Sequence, residues 1–192
     1  MDQGSLRERK QQRSREAIVE AAHALFEERG FDKVTVADIA ERAQVGRATF
    51  FRYFGDKQEV VFADGGDLEA VLAEAAELPA EGPIGESLSA ALAVARRIVV
   101  SYVRRITADP AAYTRHERLV ASHPELLARG LTKQRRYVEL LRDLLAGQGA
   151  GGEIAAIAAE IGLAAYYAGR ELVDDDPVRL PAAVESVFDR LS

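Results

Sequence analysis

One stretch, from Thr35 to Lys57, limits the folds open to this chain more than any other. It reads TVADIAERAQVGRATFFRYFGDK, and its apolar residues form two short runs at helical spacing on either side of a turn. The residues that let two helices bury one shared face are Ile39, Ala40, Ala43, Val45, Phe50 and Phe54. Thr35 with Asp38 three residues later predicts a capping box, and the second helix begins at Gly46. The stretch therefore predicts two short helices joined by a tight turn.

The other face of the second helix carries side chains that suit a nucleic acid. Arg47, Thr49, Arg52 and Tyr53 lie there, and such residues reach phosphates and base edges when a recognition helix enters a major groove. The same spacing also fits a solvated helical hairpin whose arginines only face water. Helix-turn-helix spacing by itself leaves both interpretations open.

Residues 45–54, VGRATFFRYF, followed by Asp56 and Lys57, resemble the DNA-binding signature of the TetR family of transcriptional regulators. The resemblance covers residues 13–62. It implies base-reading side chains at Arg47, Ala48 and Arg52, and phosphate contacts at Thr35, Thr49, Tyr53 and Lys57. Phe51 belongs to the same interface but stands where many members have a phosphate-binding Tyr, so that hydroxyl contact is lost. The FFRYF form is similar to that of members with acyl-CoA-like effectors.

Two departures from the family pattern concern the turn. Gln44 replaces the usual Gly, which tolerates a left-handed backbone, and Gly46 replaces the usual Ser or Thr cap. We therefore expect a weaker turn and a weaker start of the recognition helix than in most members.

Composition is compatible with a DNA-binding protein once charge is counted by segment. The 192 residues carry net charge −6, but residues 1–57 hold 11 Lys and Arg against 10 Asp and Glu. The remaining residues hold 14 against 21, so positive potential is concentrated at the amino-terminal end. The chain has no cysteine, no membrane-length apolar run and a charged start without the apolar segment of a signal peptide. We expect a cytoplasmic protein without a membrane partner.

The helical pattern extends over the whole chain and predicts an all-α fold, a three-helix DNA-binding head joined to a helical bundle. The predicted divisions are a flexible basic arm at 1–12, a helix-turn-helix domain at 13–57 and an effector-binding and dimerisation domain at 58–192. A helix from Asp56 to about Glu77 would contain Gly65-Gly66, which we interpret as a hinge or a simple break. Residues 79–85 are the first clear linker.

The last two helices contain stripes that favour close packing. Small residues align on the penultimate helix, and apolar residues align on the last: Ala158, Gly162, Ala165 and Gly169, then Val184, Val187 and Phe188. Two such helices from each subunit would form a four-helix interface about a two-fold axis, and the TetR family dimerises through its last two long helices. The alternative is that the stripes pack within one subunit.

Polar side chains within the bundle are candidates for an effector site. They are Tyr102, Tyr113, His116, Tyr137, Tyr166 and Arg170. The alternative for each is a core residue with one satisfied polar tip. A basic cluster, Arg96, Arg97, Arg104 and Arg105, lies on a single helix and is either a solvated face or the mouth of a pocket for an acyl-CoA or a fatty-acid-like anion. Asp174-Asp175-Asp176 is expected to be a solvated turn, and no metal site is predicted.

The chain lacks the sequence patterns of common enzymes. It contains no GxSxG, HExxH, GxGxxG or P-loop pattern, and its three histidines are far apart. We therefore expect no enzyme and no cofactor, but a homodimeric regulator, a repressor released from a pseudo-palindromic DNA operator by a small-molecule effector. The alternative is a helical adaptor that binds only proteins.

Overall fold

The computed structural model describes residues 3–63, 71–72, 74–75, 82 and 84–191, with side chains described from residue 9 onward. The chain divides into two compact units, Met1–Asp64 and Gly65–Ser192. This division falls after the helix that follows Lys57, whereas the sequence placed the boundary at 57/58. Val60 and Val61 of that helix are fully buried in the amino-terminal unit.

The amino-terminal unit consists of short helices packed on one long helix. The elements are α1 (Gln3–Arg29), a 3₁₀ helix (Phe31–Lys33), α2 (Val36–Arg42), α3 (Arg47–Tyr53) and α4 (Lys57–Val61). Helix α1 packs on α2 and α4, and α2 packs on α3. Their shared core is apolar and buried, and includes Ile18, Ala22, Leu25, Phe26, Ile39, Phe50, Phe54 and Val60. The predicted head is confirmed as an all-helical helix-turn-helix unit.

Helix α1 begins about ten residues earlier than predicted. Ser14 lies inside the helix, where its hydroxyl donates to the carbonyl oxygen of Lys10 at 3.0 Å. Residues 3–12, assigned to a flexible arm, are helical, because Leu, Arg, Glu, Lys and Gln all have high helix propensity. Gly30 follows the last residue of the helix, with a φ of 82° that a residue with a Cβ rarely adopts.

Helix α4 is shorter than predicted. Asp56 caps it through an oxygen that accepts from the Glu59 amide at 2.8 Å, which confirms the predicted start. The helix ends at Val61 instead of continuing to residue 77, and the sequence soon reaches two glycines, which are poor helix formers. The hinge proposed at Gly65-Gly66 lies outside the described residues, as does most of the linker at 79–85.

The carboxy-terminal unit is a bundle around one central helix. Its elements are α5 (Leu88–Ile106), α6 (Pro110–Ser122), α7 (Pro124–Gly147), α8 (Gly152–Leu172) and α9 (Leu180–Asp189). Helix α8 packs against α5, α7 and α9, so its small side chains lie at the centre of the bundle. Ser87 and Asp109 cap α5 and α6 through their side chains. Among the described residues of both units, no helix is long and apolar enough to cross a membrane.

A backbone bridge joins the segment before α5 to the turn between α7 and α8. The Gly85 amide donates to the carbonyl oxygen of Gly149, and the Gly151 amide donates to that of Gly85, both at 3.0 Å. This parallel bridge between Gly85 and Ala150 is the extent of β-type pairing among the described residues. It holds the start of α5 against the start of α8.

The small-residue stripe of α8 lies inside the chain. Near Gly162 are Leu141 of α7 and Val99 of α5, and Gly169 lies directly against Val184 of α9. All the predicted interface residues are buried except Val187, which is half-buried: Ala158, Gly162, Ala165, Gly169, Val184 and Phe188. The predicted dimer interface remains a prediction. These residues pack within one protomer, because α9 of the same chain covers the stripe.

Candidate nucleic-acid interface and tyrosine cluster

Helix α2 begins at the capping box that the sequence predicted. The Thr35 oxygen accepts from the Asp38 amide at 3.2 Å, and the Asp38 carboxylate accepts from the Thr35 amide at 2.8 Å. The Thr35 hydroxyl also donates to this carboxylate, so these two bonds from Thr35 hold the pKa of Asp38 below its ordinary value. The hydroxyl proton of Thr35 is therefore used within the cap, while its predicted contact with a phosphate remains a prediction.

The turn between α2 and α3 requires a left-handed residue. Gln44 takes that position with a φ of 54°, and its amide donates to the carbonyl oxygen of Glu41 at 3.0 Å. Gly46 then precedes α3 with an extended backbone and makes no side-chain cap. The turn has the expected geometry, at the cost of left-handed strain at a residue that carries a Cβ.

Helix α3 presents one face to the core and the opposite face to solvent. Phe50 is fully buried, while Phe51 on the outer side is 55% exposed. Arg47, Ala48 and Arg52 are also exposed; Arg47 and Ala48 lie one turn before Phe51, and Arg52 directly follows it. The predicted base-reading residues therefore share a single accessible face of α3, and the buried Phe50 fixes the opposite face of this short helix in the core of the unit.

The predicted phosphate contacts Thr49 and Tyr53 flank this face and are half-buried. The Arg52 guanidinium lies over the Tyr53 ring, 5.0 Å from its centroid, and donates weakly to the Tyr53 hydroxyl at 3.4 Å. Tyr53 thereby orients the arginine that the sequence assigned to base reading.

Lys57 has partners within the protein. Its ammonium donates to the carbonyl oxygens of Phe31 at 2.9 Å and Val34 at 3.2 Å, and lies 4.2 Å from the centroid of the Phe31 ring. These contacts tie the first residue of α4 to the segment before α2. Two of the three ammonium protons are therefore occupied before any phosphate approaches.

Two ion pairs between α1 and α2 were not predicted. Arg42 pairs with Glu28 at 2.6 Å, and Arg29 pairs with Asp38 at 3.5 Å. The hydrogen bond from Arg42 lowers the pKa of Glu28. Residues this far apart in sequence give no local signal of their pairing, so only the folded packing of α1 on α2 shows it.

The predicted effector residues of the carboxy-terminal unit come together in a cluster. The rings of Tyr102 and Tyr137 meet edge to face with centroids 5.9 Å apart. Burial raises the pKa values of Tyr102, Tyr113 and Tyr166, and Tyr166 lies close enough to raise those of the other two further. Their hydroxyls are thus neutral hydrogen-bonding groups in an apolar interior. We call this group, with Arg170 and Glu117, the tyrosine cluster.

Arg170 closes the polar end of the tyrosine cluster. It donates to the carboxylates of Glu117 and Asp175, both at 2.5 Å, and to the Tyr166 hydroxyl at 3.5 Å. Burial pulls the pKa of Arg170 down, but the bond to Asp175 and the charge of Glu117 more than offset it, so the pKa lies above its usual value. Glu117 was missed from sequence, although it lies one turn after Tyr113 on α6. His116, also predicted, is half-buried on the same helix.

The arginines of α5 lie away from the core. Arg96 pairs with Asp189 at 2.7 Å, Arg104 with Glu185 at 3.4 Å, and Arg105 with Glu74 at 3.2 Å. Arg97, Arg104 and Arg105 are exposed. These contacts fit the solvated face that the sequence left open as the alternative to a basic pocket mouth. In the described part of the chain no His, Cys, Asp and Glu side chains form a group that could hold a metal ion.

Similar proteins are found for both units. The sequence model of the bacterial regulatory proteins of the tetR family matches residues 18–63. The HTH-type transcriptional regulator TcmR of Streptomyces glaucescens is 32% identical over 146 residues, 74% of this chain and 63% of that protein. The chain therefore spans less than two thirds of that relative's length. YdeS, an HTH-type transcriptional regulator of Bacillus subtilis, is 49% identical over 45 residues, 23% of each chain.

Two solved structures share the fold. Thermus thermophilus FadR, a TetR-family repressor in complex with lauroyl-CoA, has a TM-score of 0.56 at 22% identity and covers 92% of each chain. A TetR transcriptional regulator of Nitrosomonas europaea has a TM-score of 0.55 at 15% identity, covering 92% of this chain and 96% of that one. At such identities these similarities concern the fold alone.

Proposed function

We propose that the chain is a member of the tetR family of bacterial regulatory proteins and acts as a DNA-binding transcriptional regulator of the cytoplasm. It binds a pseudo-palindromic operator as a homodimer, represses transcription, and is released when a small molecule binds the carboxy-terminal unit. Each recognition helix enters a major groove, with the two half-sites about one helical turn apart.

The outer face of α3 carries this proposal. Arg47 and Arg52 are exposed on one side of a helix whose opposite side is fixed by the buried Phe50. Among the described residues Arg47 has no hydrogen bond or ion pair, so its guanidinium is available for a bidentate contact with guanine. A solvated hairpin would not need a core-anchored helix to hold two arginines on one side.

The test compares specific and non-specific binding. Arg47→Ala and Arg52→Ala are measured on an operator selected from random duplexes and on a scrambled duplex. We expect a loss of roughly 1–3 kcal/mol on the operator and a smaller loss on the scrambled duplex, because base contacts discriminate between sequences. Equal losses on both duplexes would make the arginines phosphate contacts. Absence of salt-dependent binding to any duplex would favour the adaptor alternative.

The outer face of α8 supports a homodimer. Apolar residues follow it at helical spacing beside the buried stripe, and all but the half-buried Ile161 are exposed: Ile157, Ile161, Ala164, Ala168 and Leu172. Leu172 is 54% exposed, and such a row on a surface is typical of a protein interface. Ala168→Glu is expected to give monomers in sedimentation, while Ala93→Glu, on the exposed side of α5, keeps the dimer. Dimers in both variants would place the interface elsewhere.

The tyrosine cluster is the proposed effector site. Neutral tyrosine hydroxyls and a half-buried guanidinium stand beside apolar side chains, a combination that is typical of small-molecule sites. Effector and operator then oppose each other by equal coupling, typically about 1–3 kcal/mol. Operator release by a ligand should be lost in Tyr166→Phe, whereas operator binding without ligand is retained.

The finer proposal is an acyl-CoA or fatty-acid-like effector. Its support is the FFRYF sequence and the aliphatic interior of the bundle. Each buried CH₂ contributes about 0.8 kcal/mol, so operator release by a homologous acyl series should increase with chain length until the site is full. A response that does not depend on length, or release by flat aromatic compounds alone, would reject the acyl effector and leave the regulator proposal intact.

A further inference from the structure

A phenyl ring stands exposed in the middle of the proposed DNA-reading face. Phe51 lies four residues after Arg47 and next to Arg52, and 55% of its surface is open to solvent. Its neighbour Phe50, on the other side of α3, has no exposed surface. Helix α3 thus buries one phenyl ring in the core of its unit and presents a second, exposed ring between two cationic side chains.

The Phe51 ring is held in place within the protein. It meets the Phe50 ring edge to face, with centroids 5.5 Å apart and an interplanar angle of 83°. Phe50 in turn contacts Phe54, so the exposed ring rests on the buried aromatic core of the unit. An apolar group fixed in this way loses little conformational freedom when it makes a contact.

The chemistry of a phenyl ring selects its partner on a duplex. It has no donor or acceptor, so it can hydrogen-bond neither a phosphate nor a base edge. The apolar group that the major groove presents is the C5 methyl of thymine, which phenylalanine is suited to contact. Arg47 and Arg52 bring the polyanion to this same face, where the ring would meet the groove floor.

We propose that Phe51 is a specificity-determining residue that recognises a thymine methyl group in each half-site of the operator. The inference rests on the proposed function, since it requires that α3 enter the major groove. It gives a reading role to the position where the family pattern suggests that a phosphate contact was merely lost.

The test removes the methyl group and nothing else. In a selected operator each thymine is replaced in turn by deoxyuridine, and affinity is measured for the wild-type protein. At one position per half-site we expect about a four-fold loss, the effect of one lost methyl contact, and about fifteen-fold when both half-sites are changed. At that position Phe51→Ala should bind the thymine and uracil duplexes equally.

Two further variants separate the possible outcomes. Phe51→Leu keeps an apolar side chain of similar reach and should retain part of the methyl effect even if Phe51→Ala folds poorly. Phe51→Tyr introduces the hydroxyl that many family members have at this position. An increase in affinity that is the same on the thymine and uracil duplexes would indicate a phosphate contact. The inference is overturned if wild type ignores every uracil substitution, or if Phe51→Ala loses equal affinity on both duplexes and keeps the methyl effect. In either case intact operator binding would leave the proposed function standing.

Discussion

The crossing of α8 and α9 gives a sharp prediction at Gly169. A Cβ added there would lie 2.5 Å from Val184 Cγ2 and 3.1 Å from both the Cα and the amide nitrogen of Val184. Carbon atoms in contact prefer a separation of about 3.5–4.0 Å. The methyl group of Val184 can turn away only with difficulty, because β-branched side chains are stiff, and the backbone atoms cannot turn at all. Helix α9 must therefore shift in Gly169→Ala.

Such overpacking costs about 1–3 kcal/mol. Gly169→Ala should lower the melting temperature of the carboxy-terminal unit by roughly 3–10 °C in thermal unfolding followed by circular dichroism at one fixed protein concentration. Gly147→Ala is the matched control, because it is also at a helical glycine but its Cβ meets nothing within 4 Å. We expect it to be neutral or stabilising by up to about 1 kcal/mol.

Gly162→Ala should fall between these two variants. Its Cβ would lie 3.2 Å from the end of the flexible Leu141 side chain, which can move aside. Stability of Gly169→Ala equal to wild type would refute the close crossing of α8 and α9. If Gly169→Ala unfolded like wild type but no longer formed a dimer, the small-residue stripe would instead lie at the subunit interface.

Three further predictions concern other residues. Lys57→Ala should destabilise the amino-terminal unit by about 1–3 kcal/mol in urea unfolding, because two carbonyl oxygens lose a charged donor. The salt dependence of DNA binding should stay unchanged. If the slope of log affinity against log salt concentration became smaller by about 1, Lys57 would be a phosphate contact. Gln44→Gly should raise the stability of the same unit by about 0.5 kcal/mol, since glycine adopts a positive φ without strain; a lower urea midpoint would contradict this. Glu117→Gln should strengthen binding of an acyl anion several-fold in calorimetry, because Arg170 then faces one carboxylate instead of two; unchanged affinity would separate Arg170 from the effector.

Local signals made most of the helix-turn-helix unit predictable. The capping box at Thr35, the cap at Asp56 and the glycine at the end of α1 act over four residues or fewer, so the sequence displays them directly. The extended start of α1 escaped prediction because it has no cap signal, and strong helix formers continue to its first residues.

Long-range packing explains the rest. The stripe on α8 was visible in the sequence, but small residues invite a close neighbour without specifying which helix it is. Val184 of the same chain takes that place. Glu117 and Arg170 are far apart in sequence and meet only because the fold brings α6 within side-chain reach of the end of α8. The tyrosines and Arg170 of the tyrosine cluster could be predicted as a set, since helical spacing placed them together, but Glu117 and the charge balance that it brings could not.

The backbone bridge at Gly85 bears on the order in which the carboxy-terminal unit folds. It joins residues about 65 positions apart and encloses α5, α6 and α7 in one loop, whose closure costs about 3–4 kcal/mol of chain entropy. A pair of hydrogen bonds cannot offset that cost in an open chain, so the bridge forms after the helices it encloses have already packed. The exchange of the Gly85 and Gly151 amide protons with solvent deuterium should thus report the last step of folding and the first of unfolding.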